Sequence, residues 1–150
     1  MQAPLKMGYS IRLLKESDLT KGFFETLSDL TTVGEIAENI EKARQVFTNI
    51  NSQKYILVAV NEQNEVIGTA TILIEQKFIH NGSSVGHVED VVVKKAYEGQ
   101  GIGRGLLEKC IDIAKDNKCY KIILDCKESN QGFYSKFGFR KDCICLRLDL

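Results

Sequence analysis

Residues 86–105, with the sequence GHVEDVVVKKAYEGQGIGRG, decide the predicted fold. The first eight residues predict a strand that ends in three valines, which is typical of a strand buried on both faces. Glycine then occupies every second position from 99 to 105, and an apolar helical pattern continues to about residue 117. A strand at 120–126 completes a strand–helix–strand unit. Such a unit predicts two parallel strands joined by a right-handed crossover.

The flanking sequence predicts a mostly antiparallel sheet around this unit. Further strand patterns occur at 10–14, 55–60, 66–74 and 143–148, and a polar turn at 62–65 makes the middle two a hairpin. Helical patterns start near residue 18, run from 36 to 50 and occupy 130–136, just before Gly138. Ser17 and Thr32 are expected to cap the first two helices. The predicted class is α+β, or mixed α/β, in one domain spanning residues 1–150.

The composition is that of an ordinary globular chain. Of 150 residues, 43% are hydrophobic, and 20 Lys and Arg balance 20 Asp and Glu. This balance argues against a general nucleic-acid binder. The apolar run at 56–60 is too short for a membrane span, and the N-terminus lacks the apolar core of a signal peptide. Five cysteines without a CxxC pair, and two histidines seven residues apart, lead us to expect a cytoplasmic protein without a metal site.

The alternating glycines predict a binding site for phosphate or pyrophosphate. Without side chains in the way, backbone N–H groups of such a turn can converge on an anion. The start of the following helix adds unpaired N–H groups and a favourable dipole. The spacing does not fit the Gly-x-Gly-x-x-Gly fingerprint, and no Gly-Lys-Ser/Thr follows. The alternative interpretation is a flexible connector between strand and helix.

These residues resemble the GCN5-related N-acetyltransferases (GNAT), which hold the pyrophosphate of acetyl-CoA on a Q/R-x-x-G-x-G/A motif. The corresponding frame is EGQGIG at 98–103, with Glu98 in place of Gln or Arg. Further segments resemble the glucosamine-6-phosphate N-acetyltransferases in particular: TTVG at 31–34, HVEDVVV at 87–93, CYKIILDC at 119–126, Asn130, and FYSKFGF at 133–139. The resemblance covers about residues 10–147. It implies the GNAT fold, a mixed central sheet flanked by about four helices.

The resemblance also implies an activity. The acetyl group of acetyl-CoA would pass directly to the 2-amine of glucosamine 6-phosphate, giving N-acetylglucosamine 6-phosphate and CoA without a metal or an acetylated enzyme. In the family, this step leads toward UDP-N-acetylglucosamine, and the enzyme is a homodimer. An acetyltransferase for a protein or another amine is an alternative of the same class. A non-catalytic acyl-CoA-binding module is an alternative of a different class.

The resemblance assigns roles to individual residues. A backbone N–H within 89–91 would stabilise the oxyanion, Glu89 or Asp90 would help deprotonate the amine, and Tyr134 would protonate the departing sulfur. Residues expected to contact acetyl-CoA are Val91, Val92, Val93, Gly99, Gln100, Gly101, Ile102, Gly103, Arg104 and Asn130. Residues expected to contact the sugar phosphate are Thr31, Lys77, His80, Glu89, Asp90, Val91, Tyr120, Lys121, Asp125 and Arg147. Lys77 and His80 are included because a phosphosugar requires nearby cations.

Strand alternation predicts which of these side chains share a face. It places His87, Glu89 and Val91 on one face, and Val88, Asp90 and Val92 on the other. The two acids also fit a polar strand end in solvent, and Tyr134 also fits a half-buried core tyrosine.

Three other assignments have structural alternatives. Asn130 also fits a helix cap. Lys121 and Asp125 also fit a surface ion pair. Arg147 corresponds to the family's phosphate-binding arginine if two residues are deleted after Phe139, and it also fits an ordinary surface arginine.

Overall fold

A five-stranded mixed sheet forms the centre of the computed structural model, which describes residues 8–150. The strands, in their spatial order, are β1 (Tyr9–Leu13), β2 (Lys54–Asn61), β3 (Val66–Gln76), β4 (Ser84–Val93) and β5 (Cys119–Ile123). Strands β1 to β4 pair with one another in antiparallel fashion, and β5 pairs with β4 in parallel. The predicted mixed class, the hairpin and the parallel crossover are therefore confirmed.

Five helical segments accompany these strands: α1 (Phe23–Ser28), α2 (Ile40–Thr48), α3 (Ile79–Gly82), α4 (Ile102–Asp116) and, after β5, α5 (Gln131–Ser135). Within α3, His80 and Asn81 have non-helical backbone conformations, with φ values of 48° and 59°. Short 3-10 turns occupy Glu16–Thr20, Glu35–Glu38, Lys95–Tyr97 and Glu128–Asn130. Among residues 8–150, no helix combines the length and the apolar character needed to cross a membrane.

The sheet buries apolar side chains on both faces, which positions the glycine turn. On one face, Ile72 and Val88 pack in a cluster with Leu106 of α4, which we call the α4-side core. On the other face, Val58 packs with Phe23 of α1 and with α2. Because the first two turns of α4 are anchored in this core, the glycine turn before the helix is held against the sheet.

The first two predicted helices are shorter than the sequence pattern suggested, and their predicted caps are wrong. Ser17 lies inside a 3-10 turn, and Gly22, with a φ of 86°, separates that turn from α1. Thr32 forms no capping box, because Gly34, with a φ of 84°, precedes the next 3-10 turn. The side chain of Asn39 caps α2 instead, accepting a hydrogen bond of 3.1 Å from the Lys42 N–H.

The predicted strand at 143–148 does not form within the described chain. Its apolar side chains are exposed, at 82% for Ile144, 90% for Leu146 and 85% for Leu148. Alternation specifies the two faces of a strand, but the hydrogen bonds must come from a second strand, which residues 8–150 do not place there. Strand β5 also ends at Ile123 rather than at residue 126.

A buried ion pair ties β1 to the following turn. Both nitrogens of the Arg12 guanidinium fork donate to the carboxylate of Asp18, at 2.7 and 2.9 Å, and the Lys15 N–H donates to it at 2.7 Å. The Asp18 side chain is only 1% exposed. Burial by itself raises the pKa of Asp18, but the hydrogen bonds from Arg12 and Lys15 outweigh burial and hold that pKa below its ordinary value.

We expect Asp18→Asn to lower the free energy of unfolding at pH 7 by about 3 kcal/mol, because it leaves the Arg12 charge without its partner. Because the folded-state pKa is lowered, the contribution of Asp18 is complete above about pH 4 and is lost as the pH falls further. Urea denaturation at pH 7 and pH 3 measures both effects. The control Glu16→Gln breaks the exposed pair with Arg44 and should cost less than about 1 kcal/mol. Equal losses in the two variants at pH 7 would contradict this account.

Candidate active site

Strands β4 and β5 pair over only part of β4. The parallel register runs from Ser84 opposite Cys119 to His87 opposite Ile123, where β5 ends. Strand β4 continues to Val93, and the described chain places no strand beside residues 88–93 on that side. The backbone hydrogen-bonding groups along this edge of β4 are therefore available to an extended ligand.

A β-bulge interrupts β4 in the middle of this open edge. Glu89 pairs with Thr71 and Val92 pairs with Thr69, so Asp90 and Val91 together lie opposite Ala70. Asp90 has a φ of 50°, and both Glu89 and Asp90 are exposed.

The bulge makes the predicted alternation wrong beyond Glu89. Val91 packs with Val88 against the α4-side core instead of sharing a face with Glu89. The physical reason is the extra residue, which reverses the facing of every residue after it.

The glycine turn lies at the end of this strand. Gly99 and Gly101 have φ values of 78° and 81°, which glycine adopts without strain. The first helical hydrogen bond of α4 joins the Gly105 N–H to the Gly101 carbonyl at 3.0 Å, which leaves the N–H groups of residues 102–104 without helical partners. A Cβ on Gly103 would lie 3.6 Å from both Val93 and Phe133, so α4 starts between β4 and α5.

The carboxyl of Glu89 has a pKa above its ordinary value. Partial desolvation by the surrounding chain contributes most, and the negative charges of Asp125 and Asp90 contribute next. His87 and Lys54 act in the opposite direction. A raised pKa makes Glu89 a stronger base than a solvated carboxylate, so it is suited to accept a proton from an amine.

Tyr134 lies on α5, half-buried at the edge of the α4-side core. Its ring packs edge-on against Phe133 at 5.0 Å and against Phe139 at 6.0 Å between centroids. Burial, followed by the nearby Cys126 and Cys110, raises the pKa of its phenol. The hydroxyl is therefore protonated at neutral pH and can act as a proton donor. Gly138, with a φ of 91°, ends this segment as the sequence predicted.

The alternative role of Asn130, a helix cap, is not observed. Asn130 precedes α5, but its side chain makes no capping hydrogen bond and is exposed. Its amide is therefore free for another partner.

The predicted phosphate-binding residues form two groups. In the first group, the rings of His80 and Tyr120 stack with centroids 4.0 Å apart, and the Lys121 ammonium lies 5.7 Å from the Tyr120 ring. In the second group, the Glu75 carboxylate pairs with Lys77 at 2.5 Å and with His87 at 2.6 Å.

Four other predicted site residues are exposed. Arg147 pairs with Asp149 at 2.6 Å on the exposed C-terminal segment. Thr31 and Asp125 are exposed. Arg104 pairs with Glu108, and its guanidinium lies 5.8 Å from the Phe137 ring.

The sequence analysis did not identify Glu75, which pairs with Lys77 and His87, or Lys54, which acts to lower the pKa of Glu89. Strand period two places Glu75 on the same side as Lys77, so that pairing was readable from the sequence. Lys54 of β2 lies on the same face of the sheet as His87 of β4, because Lys54 pairs with Leu73 of β3 and Leu73 pairs with His87. No local sequence pattern shows this register.

A separate apolar cavity of about 530 Å³ lies between α2 and the start of β2. Its walls include Leu13, Phe47, Ile50 and Tyr55. None of the predicted site residues lines this cavity, although Lys54, which acts on the pKa of Glu89, does.

The open β4 edge, its bulge and the glycine turn define an acyltransferase-type site, and comparison with known proteins agrees with it. Residues 21–139 match the acetyltransferase (GNAT) family, and the chain belongs to this family. Within it, the chain is 38% identical over 137 residues to the glucosamine 6-phosphate N-acetyltransferase of Candida albicans, covering 91% of this chain and 92% of the relative.

Solved structures give the same result. The chain is similar to the glucosamine-6-phosphate N-acetyltransferase of Arabidopsis thaliana, with a TM-score of 0.86, 34% identity, and coverage of 94% of this chain and 97% of that one. An acetyltransferase of Trypanosoma brucei matches with a TM-score of 0.79 and 35% identity, covering 95% and 99% of the two chains. The predicted family and fold are therefore confirmed.

The electrostatic account of Glu89 predicts opposite effects for two substitutions. We expect Asp125→Asn to lower the pKa of Glu89, since it removes a negative charge, and Lys54→Met to raise it, since it removes a positive one. Carbon-detected NMR titration of the Glu89 carboxyl measures both shifts. Lys42→Met, a change on the exposed surface of α2, serves as the control and should leave the titration unchanged. Shifts of the same sign in the first two variants would contradict the account.

Proposed function

We propose that this protein transfers the acetyl group of acetyl-CoA to the 2-amine of glucosamine 6-phosphate. The observation that supports this most strongly is the open edge of β4 at residues 88–93, which contains a bulge and leads to the N-terminus of α4. The names of the relatives reported above support the choice of substrate.

Acetyl-CoA would lie along the open edge of β4. In this proposal, the backbone of Val91, Val92 and Val93 hydrogen-bonds the amides of the pantetheine arm as an added strand would. The pyrophosphate would bind the unpaired N–H groups at the start of α4, supported by Gly99, Gln100, Gly101, Ile102, Gly103 and Arg104. The Asn130 side chain, which does not cap α5, is available for a pantetheine amide.

The proposed chemistry is direct acyl transfer. Glu89 or Asp90, directly or through water, takes a proton from the ammonium of the sugar, and the free amine attacks the thioester carbonyl. A backbone N–H within residues 89–91 stabilises the oxyanion of the tetrahedral intermediate. As the C–S bond breaks, Tyr134 donates its proton to the departing sulfur, and the extra proton on the attacking nitrogen passes to the resulting phenolate, directly or through water, so that an amide and the CoA thiol are formed.

The sugar phosphate would bind beside the open edge of β4. Lys121 and His80 are already arranged around Tyr120, and Lys77 lies on the same loop as His80. Thr31 and Asp125 are exposed and available to the sugar hydroxyls. Several cations acting on one phosphate favour a phosphorylated acceptor over a neutral sugar.

We also propose that the protein is a homodimer in which the C-terminal segment of each copy reaches the other. Strand β5 lies at the edge of the sheet, and Ile144, Leu146 and Leu148 alternate along an exposed segment. Exposed apolar residues at strand spacing are suited to pairing with a second chain. Arg147 on this segment would then contribute to the substrate site of the partner.

The cellular setting follows from the proposed reaction. Its product would enter the synthesis of UDP-N-acetylglucosamine in the cytoplasm, where the five free thiols at positions 110, 119, 126, 143 and 145 would remain reduced.

We expect Tyr134→Phe to reduce kcat about 10²–10⁴-fold with little change in the KM values, because the lost proton donor acts mainly once charge develops on sulfur. The steady-state rate of thiol release measures kcat and the KM values. Tyr55→Phe, which removes a phenol from a half-buried ring elsewhere in the core, is the matched control and should be near wild type. A fully active Tyr134→Phe variant would remove Tyr134 from the chemistry.

The substrate assignment predicts that kcat/KM is about 10²–10⁴-fold lower for glucosamine than for glucosamine 6-phosphate, because the neutral sugar loses charge-assisted hydrogen bonds. Lys121→Ala should reduce turnover of the phosphorylated sugar by about 10–100-fold and leave glucosamine turnover nearly unchanged. Lys42→Ala on α2 is the control. If wild-type protein used the two sugars equally well, an amine acceptor without a phosphate would replace the proposed substrate.

A further inference from the structure

The hydroxyl of Tyr9 reaches the glycine turn from the opposite end of the chain. Tyr9 is the first residue of β1, and its phenolic O–H donates to the carbonyl of Gly101 at 3.3 Å, across 92 positions of sequence. Its half-buried ring packs against the α4-side core, which fixes the position of the hydroxyl.

We propose that Tyr9 is a positioning residue that holds the 101–102 peptide for the pyrophosphate of acetyl-CoA. This inference rests on the proposed function, since it assumes that acetyl-CoA binds at the glycine turn. Tyr9 itself would not touch the cofactor, because it acts through the backbone.

The planarity of the peptide bond carries the effect from Tyr9 to the anion site. The carbonyl of Gly101 and the N–H of Ile102 belong to one trans peptide unit, so they point in opposite directions. The carbonyl accepts from Tyr9 at 3.3 Å and from the Gly105 N–H at 3.0 Å. Holding that carbonyl therefore also holds the Ile102 N–H, one of the unpaired donors at the start of α4.

The turn needs such an external restraint. Gly99 and Gly101 both adopt left-handed conformations, and glycine has more accessible backbone conformations than any other residue. At the first position of the family motif, this chain has Glu98, an exposed acid that lacks the N–H donors of Gln or Arg. Tyr9 supplies an uncharged donor at the turn itself.

The close approach of β1 also explains the last glycine of the run. A Cβ on Gly105 would lie 2.8 Å from the Ile11 Cδ1 and 3.6 Å from the Tyr9 hydroxyl oxygen. The phosphate interpretation gives Gly105 no role, whereas the contact with β1 requires a small residue there.

Two other long-range hydrogen bonds hold only the chain that leads to the turn. The Lys95 N–H donates to Asp29 at 2.9 Å, and the side chains of Asn61 and Tyr97 are hydrogen-bonded at 3.3 Å. Of these three hydrogen bonds, the one from Tyr9 is made to a residue of the glycine turn, Gly101.

The test is Tyr9→Phe, which keeps the ring and removes the hydroxyl. We expect the Kd and KM for acetyl-CoA to rise about 2- to 10-fold, the loss expected for one hydrogen bond, with kcat, the sugar KM and the melting temperature unchanged. With S-acetylpantetheine, which lacks the pyrophosphate, the variant and wild type should be equal. Tyr55→Phe, which alters another half-buried tyrosine of the same core, should match wild type with both cofactors.

A wild-type Kd for acetyl-CoA in Tyr9→Phe would overturn the inference and leave the proposed function standing. Equal losses with acetyl-CoA and S-acetylpantetheine would also overturn it, because they would indicate a general structural role. If wild-type protein neither bound CoA nor released thiol in the presence of glucosamine 6-phosphate, the proposed function would fail together with the inference.

Discussion

The open edge of β4 exists because β5 ends at Ile123, opposite His87, and leaves residues 88–93 unpaired on that side. If β5 continued beside β4, the backbone of residues 88–93 would be hydrogen-bonded within the sheet and closed to a ligand. The α4-side core holds both strands and the helix between them, so the gap is a fixed part of the fold. The bulge at Asp90 and Val91 then sets the direction of the backbone groups inside the gap.

Strand register brings together the charged side chains around Glu89. Partial desolvation, followed by the negative charges of Asp125 and Asp90, raises the pKa of Glu89, while His87 and Lys54 oppose the effect. Glu75 pairs with Lys77, which follows β3, and with His87 of β4. An amine with an anionic phosphate needs both kinds of partner, a base near its nitrogen and cations near its phosphate. In the proposed function, Glu89 or Asp90 would be the base, and Lys77, His80 and Lys121 would bind the phosphate.

The parts of the structure that depend on local periodicity were predictable. The hairpin, the crossover helix, the glycine turn and the left-handed Gly138 all carry local signals. The bulge at Asp90 was not predictable, because an inserted residue leaves the apolar pattern of 86–93 unchanged. The strand at 143–148 was predicted from alternation alone, but a strand also needs a partner. The contacts of Tyr9 and Lys54 depend on register across the sheet, which no short segment encodes.

Amide hydrogen exchange along the edge of β4 shows whether acetyl-CoA binds there as an added strand. If acetyl-CoA lies along β4 as an added strand, its binding should slow exchange within residues 91–93 and within residues 102–104 at the start of α4. Exchange in α2, which borders the separate apolar cavity, should not change. Unchanged exchange at 91–93, or protection confined to the residues around that cavity, would contradict the account.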